Sequence, residues 1–519
     1  MIELPSTPSV SPSYPHGPYR FVNREYFIVT YETDPQALRD FVPYPLVPNE
    51  KNHVLYEWIA MPDSSGFGNY QESGIVIPCT YKGEEINYVG AMLLDCEPPI
   101  ACGREIWGFP KKRANPKLVV EGDTLLGTVD YANQQIAFGT MSFKYNKIDP
   151  NIALQSLMKP SCNLKIIPEP ESATQSLGQL IKFTLQDVEI KGAWYGPARL
   201  HLQHSAAAPV ADLPVRKIVG GKHILANLTL PAGNILYDYH SAETKANIEK
   251  LRENPTPQNQ AEVAAYEKIV KIPSMPAYAP SFPQITPNFV NETLLIIYET
   301  DPELILPHLP EDLELVDNKL VFQVSNTEGT GVGAYSRAQL HVPCRLRNAT
   351  GNFKAGDTFL YSLIVILDCS ASITFGRERY GKPSKYGFPS LSVNKDTLVC
   401  SVKYGDQEIV RGSMLFKHTR TPPTDTYPTD VLSMTEMNLK IIPHASGSHS
   451  VCKLVAVKNG VHDVEEVYEG KAALDFIPHV HAPFADFPIN KIVKSYHLKT
   501  TSKSHHAVTV KDYLLPTEK

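Results

Sequence analysis

The segment HVLYEWIAM, His53 to Met61, alternates apolar and less apolar positions. Successive side chains of a strand point to opposite faces, so this spacing predicts a strand with one buried face. Lys117 to Tyr145 reads KLVVEGDTLLGTVDYANQQIAFGTMSFKY. Gly122-Asp123 and Ala132-Asn133 interrupt its β-branched and aromatic runs, which predicts strands joined by tight turns. Sustained helical periodicity is scarce. Short helices are expected near Pro35–Phe41 and Pro302–His308, where Thr-Asp-Pro offers an N-cap and a first-turn proline. The pattern predicts a mainly β (α+β) fold, a closed or curled β-barrel with a few short helices.

The pattern occurs twice. VTYETDPQAL from Val29 matches IIYETDPELI from Ile296, and IPCTYKG from Ile77 matches VPCRLRN from Val342. MLLDC ending at Cys96 matches VILDC ending at Cys369, and GREIWGFPKK from Gly103 matches GRERYGKPSK from Gly376. NLKIIP recurs at Asn163 and Asn438, and APVADLPVRKIV from Ala208 returns as APFADFPINKIV from Ala482. Order is kept while the spacing drifts, as loop insertions in a tandem duplication would produce. Between the copies, residues 242–254 and 261–272 are rich in helix formers, and Pro273 to Pro287 is too proline-dense for a helix or a central strand. The expected organisation is one barrel over 1–241, a helical segment and linker over 242–284, and a second barrel over 285–519.

Composition narrows the function classes. The 519 residues carry a formal net charge of −6, which argues against a nucleic-acid or anionic-membrane partner. No apolar run is long enough to span a bilayer. Eight scattered cysteines without a C-x-x-C, and an N-terminus without a basic start and apolar core, lead us to expect a reducing cytoplasm. The histidine pairs in HLQH, HASGSH, HVHAP and SKSHH lack acidic or cysteine ligands at a metal spacing, so no metal is expected. No cofactor is expected either.

Against this mildly acidic background, GFPKKRANP (Gly108 to Pro116) sets three cations in a row. Adjacent lysines are usually a solvated surface. This pair, however, follows a rigid Gly-Phe-Pro turn between apolar segments, and the second copy, GKPSKYGFP, has Ser384 opposite Lys111. A lysine is nucleophilic only when neutral, and at an ordinary pKa of about 10.4 almost none is neutral at pH 7. Burial and a neighbouring like charge both favour the neutral form, and imine formation with a ketone is then the natural chemistry.

GPYRFVNREYF (Gly17 to Phe27), NYQESGIVIP (Asn69 to Pro78), EPPIACGREIWGFPKKRANPKL (Glu97 to Leu118), NLKIIP and ILYDY (Ile235 to Tyr239) resemble acetoacetate decarboxylase across residues 10–240. That enzyme is itself the standing example of a lysine activated by desolvation or a cationic neighbour. The resemblance implies two acetoacetate-decarboxylase-like domains, the second degenerate. It implies a cofactor-independent decarboxylation of a small β-keto acid, with Lys111 as nucleophile and Lys112 as the neighbour that lowers its pKa. Arg24 would bind or steer the carboxylate. Glu72 would transfer protons or position the substrate. Glu57, Trp107 and Phe109 would bind substrate or support the site. An aldolase, dehydratase or cyclase using the same imine is the alternative, and a binding or scaffold protein is a third reading.

In the second copy Ser384 stands opposite Lys111, Arg337 opposite Glu72, Gln323 opposite Glu57, and Asn291 or Glu292 opposite Arg24. Lys385 matches Lys112, and Arg377-Glu378 matches Arg104-Glu105. Residues kept in both halves read as scaffold, and those lost together read as chemistry. The second half is therefore expected to be non-catalytic and to pack on the first as a second subunit would, with homo-oligomers of whole chains also allowed. Relocation of the nucleophile to Lys382 or Lys385, or binding of a different ligand, are the competing readings.

Overall fold

The turns that split Lys117 to Tyr145 form where the breaker residues stand. Strands Asn115–Glu121, Thr124–Tyr131 and Gln134–Ser142 are joined at Gly122 (φ 60°) and at Ala132 and Asn133 (φ 51° and 60°). Two successive positive φ values make the second a tight hairpin turn whose twist matches its strands. Helices occupy Pro35–Phe41 and Pro302–Ile305, the latter continuing as a 3₁₀ turn over Leu306–His308. Asp34 does not cap its helix through its side chain; its carboxylate pairs with Arg216 at 2.6 Å. The computed structural model describes residues 4–172, 174–282, 289–329, 331–422, 431 and 434–515.

The architecture is mixed α+β, with two large mixed sheets and two four-stranded ones. In the first half, Tyr19–Glu32 lies between Lys217–Leu230 and His53–Ser64; Gly68–Tyr81 and Glu84–Leu94 follow. Ser161–Pro168 and the short Lys111–Arg113 strand then pair in parallel with Glu84–Leu94. In the second half, Phe289–Glu299 lies likewise between Lys491–Asp512 and Lys319–Glu328.

The expectation of two closed or curled barrels is corrected. The first large sheet has a linear strand order with two distinct ends, Asn146–Lys147 and Asn234–Asp238. Alternation along a strand shows that one face is buried but not what buries it. Here a second layer does so: Leu125, Val129 and Ile136 of the small sheet share a core with Phe27, Tyr56 and Trp58 of the large one. Trp58 lies flat against Gly127 and Gly139, where an added Cβ would come within 2.4 and 2.5 Å of its ring. The second half repeats this layering, with Leu398, Val402 and Val410 against Leu294, Ile296 and Phe322.

Helices Ala242–Glu253 and Pro257–Val270 fill the joint, where Arg252 pairs with Glu267 at 2.8 Å. The expected boundary at 285, and much of the proline-rich linker, lie outside the described residues. All eight cysteines are free thiols. Cys79 and Cys344 are buried, whereas Cys96 and Cys369 are half-buried beside a helix start.

The two halves clasp each other through their repeated Arg-Glu pairs. Arg104 donates to both carboxylate oxygens of Glu378, at 2.6 and 3.0 Å, and Arg377 does the same to Glu105, at 2.6 and 3.0 Å. All four side chains are buried. Lys165 donates to the Pro443 carbonyl (2.7 Å) and Lys440 to the Pro168 carbonyl (2.6 Å), so each lysine of NLKIIP reaches into the opposite half. Burial pushes both amines down to about 7.

Candidate active site

A cavity of about 110 Å³ in the first half brings together Arg24, Glu57, Glu72, Phe109 and Lys111. Glu57 and Glu72 come from adjacent antiparallel strands. Arg24 follows a bulge, marked by Asn23 at φ 56° and a register jump between Phe21 and Arg24. A bulge of this kind re-aims the next side chain. The Arg24 guanidinium lies 5.0 Å from the Phe21 ring centroid and 4.9 Å from that of Tyr26, and its Nε has no hydrogen-bond partner among the described residues.

Lys111 is 6% exposed. Its Nζ donates to Glu72 Oε1 at 2.9 Å and to the Pro99 carbonyl at 3.2 Å, and it stands 5.0 Å from the Phe109 ring centroid. Helix Glu97–Trp107 passes close by. A Cβ on Gly103 would meet Lys111 Cδ at 2.8 Å and Cε at 2.9 Å, so any side chain there would push the end of the lysine aside. Burial pushes the Glu57 carboxyl up to about 7; Arg24 opposes the shift and Glu72 adds to it.

The three cations of GFPKKRANP have three different environments. Lys111 enters the cavity. Lys112, the next residue on the strand, points to the other face and donates to the Ala207 carbonyl at 2.6 Å. Burial, with Arg104 adding, holds its amine down at about 8. Arg113 stacks on Tyr386 of the second half, 3.8 Å from the ring centroid. Trp107 is not on the cavity wall. Its indole donates to the Pro231 carbonyl (3.1 Å), and its ring backs Phe109, which also packs against Phe183.

Sequence reasoning missed several contributors. Tyr26 and Tyr70 line the cavity from within GPYRFVNREYF and NYQESGIVIP but were not singled out, and Phe183 lines it without any motif to mark it. Gly103 and Arg104 were visible only as repeated residues. Arg104 donates from Nη1 to the Lys111 carbonyl at 2.9 Å, so the inter-half clasp also holds the lysine's backbone.

The second half carries the same frame with different groups. His223 pairs with Glu25 (2.7 Å) and His497 with Glu292 (3.0 Å), which sets Asn291 opposite Arg24. Ser384 pairs with Val365 as Lys111 pairs with Met92. Lys385 donates to the His481 carbonyl at 2.8 Å, mirroring Lys112 on Ala207. Among the described residues, no group of three or more His, Cys, Asp or Glu could hold a metal, and no helix is long and apolar enough to cross a membrane.

A buried lysine paired with a glutamate, beside an arginine with a free donor, defines a site built for amine chemistry on a small acid. The family model for acetoacetate decarboxylase (ADC) matches residues 3–240 and again 273–514, and the chain belongs to that family. It is 52% identical over 232 residues to the acetoacetate decarboxylase of Ralstonia nicotianae, covering 45% of this chain and 94% of that protein. The Acidiphilium cryptum acetoacetate decarboxylase is also 52% identical, with the same coverage. The crystal structure of acetoacetate decarboxylase from Legionella pneumophila is 48% identical with a TM-score of 0.43, covering 44% of this chain and 91% of that one.

Proposed function

We propose that the first half decarboxylates a small β-keto acid, acetoacetate or a close analogue, through an imine on Lys111. The carrying observation is the buried Lys111–Glu72 contact at 2.9 Å inside a cavity that also holds Arg24. Passing one proton across this contact from Lys111 to Glu72 leaves the neutral amine that imine formation requires. The amine then attacks the substrate ketone; one amine proton and the proton on Glu72 go to the ketone oxygen, which leaves as water, giving the iminium and a Glu72 carboxylate. The C–C bond to the carboxylate breaks, CO₂ departs, and the electron pair flows into the iminium to form an enamine. Glu72, its proton restored from solvent, protonates the enamine carbon, and water hydrolyses the resulting iminium to release the ketone and Lys111. Arg24 holds the carboxylate before it leaves. Glu57, held near 7, tunes the charge around Arg24. Lys112 adds positive potential from the far face of the strand while anchoring the Ala207 loop.

Size supports a small substrate. At about 10–15 Å³ per water-sized sphere, 110 Å³ accommodates roughly seven to eleven such groups, and acetoacetate has about seven heavy atoms. We assign residues 1–241 and 285–519 as two domains joined by 242–284, the second without imine chemistry because Ser384 has no amine. The second domain serves the first as a partner subunit would, a reading supported by the paired Arg104–Glu378 and Arg377–Glu105 contacts. Eight free thiols suit a reducing cytoplasm.

Borohydride reduction in the presence of acetoacetate, followed by intact mass, tests the chemistry. One adduct per chain is expected, absent in Lys111→Ala, with CO₂ released before reduction. Adduct without CO₂ would point to aldol-type chemistry, and no adduct with any keto acid would end the imine reading.

A further inference from the structure

The second half is not filled in where its nucleophile is missing. Two adjoining cavities of about 80 and 50 Å³ share Phe289, Arg337 and Gln339. The larger is walled by Val365, Leu367, Phe375 and Tyr380, with Ser384 at its edge. The smaller is polar, lined by Asn291, Thr293, Gln323, Ser325 and His341 among others. Arg337 stands where the two meet, at the position of Glu72, and its Nε has no hydrogen-bond partner among the described residues.

We propose that this cavity is a second ligand site, which binds a short-chain aliphatic monocarboxylate reversibly, its carboxylate on Arg337 and its tail in the apolar lobe.

The charge balance selects the ligand. Glu436, at the position of Ser161, is matched by Lys382, at the position of Phe109, with 2.6 Å between them. Those two charges cancel. Burial holds His341 down at about 4, so it is neutral at physiological pH. Among the described residues that line the two cavities Arg337 is the cation left over, and a planar guanidinium with a free donor suits a carboxylate. Gln339 and the Ser384 hydroxyl supply further polar contacts from the same wall. A monocarboxylate without a ketone offers Lys382 no carbonyl to attack, and the Ser384 hydroxyl cannot form an imine, so binding stays non-covalent. By the same measure of about 10–15 Å³ per sphere, 80 Å³ holds roughly five to eight groups, the size of a four-carbon acid. The swap is coherent: Glu72 becomes a cation, Lys111 a hydroxyl, and Phe109 and Ser161 a neutralised ion pair.

The test is calorimetric titration of the full-length protein with butyrate, with 1-butanol as the uncharged match. Butyrate has no ketone, so its signal does not depend on Lys111 chemistry. The parent is expected to show one Arg337-dependent site per chain, weakened at least tenfold in Arg337→Met. Decarboxylation by that variant should be unchanged. Leu367→Trp, which fills the apolar lobe and keeps the arginine, should lose the same site; it also decides the matter if Arg337→Met does not fold. Superimposable titrations in the parent and the folded variants, or butanol binding as tightly as butyrate, would overturn the proposal.

Discussion

The two halves share a backbone frame, one clasp and one lysine-on-carbonyl anchor, yet their cavities are charged differently: Lys111 faces Glu72 in the first, whereas Lys382 faces Glu436 beside Arg337 in the second. Lys111 and Glu72 become Ser384 and Arg337, while Lys112 and Lys385 both tie down an equivalent loop, at 2.6 and 2.8 Å. Duplication within one chain separates what the fold needs from what the chemistry needs. It also divides the cation triplet: Lys111 differs in kind between halves, Lys112 does not, and Arg113 meets its own counterpart, Tyr386, across the interface.

That division can be broken at its strongest point. Glu72→Gln removes the proton acceptor of Lys111 and should lower kcat on the order of 10²–10⁴-fold, with slower adduct formation. Arg337→Met, its counterpart, should leave kcat alone. Equal effects would erase the functional difference between the halves.

The next test targets what they share. Glu378→Gln leaves Arg104 buried without its carboxylate and should cost about 3–5 kcal/mol in urea unfolding. Pairing it with Arg104→Met should restore much of that stability but not the activity, because the Lys111 carbonyl loses its 2.9 Å donor. Recovery of both would show that Arg104 serves the interface alone.

Lys165 and Lys440 allow a pH test. In the folded chain burial brings both to about 7, whereas the unfolded chain keeps these protons to about 10.4. Between those values the unfolded state binds more protons, so stability rises with pH. The penalty is fully present below about pH 7. Each lysine contributes a slope of up to about 1.4 kcal/mol per pH unit. The stability of the parent relative to Lys165→Met/Lys440→Met should therefore climb from pH 7 to 10, and a flat difference would show that both amines stay charged.

The smallest effect sharpens the comparison most. Lys112→Met and Lys385→Met should each cost about 1 kcal/mol, the loss of one anchoring hydrogen bond. Only Lys112→Met should lower kcat, since Lys112 follows Lys111 on its strand whereas Lys385 follows Ser384. If neither changes kcat, Lys112 is anchor only.

Much of this was legible in the chain. Turn residues placed the hairpins, the repeats exposed the duplication, and GFPKKRANP with Arg24, Glu57 and Glu72 named the lysine of the cavity, its carboxylate partner and the arginine beside them. Closure was not legible, because alternation cannot tell a sheet rolled on itself from one covered by another. Nor was the divergence of Lys111 and Lys112 drawn from their adjacency, although strand geometry requires it once Lys111–Arg113 is a strand. Of the two roles open to Trp107, binding substrate or supporting the site, its ring takes the supporting one, packed behind Phe109. Gly103 was hidden since its role is the space it leaves.

The clasp has a consequence for mass action. A subunit held only by association is lost on dilution, and its buried arginine would lose its carboxylate with it. Here Glu378 and Arg104 belong to one chain, so the local concentration of the partner surface is set by the tether and not by the amount of protein present. Activity per chain should therefore persist at dilutions that would strip a bimolecular pair of its partner.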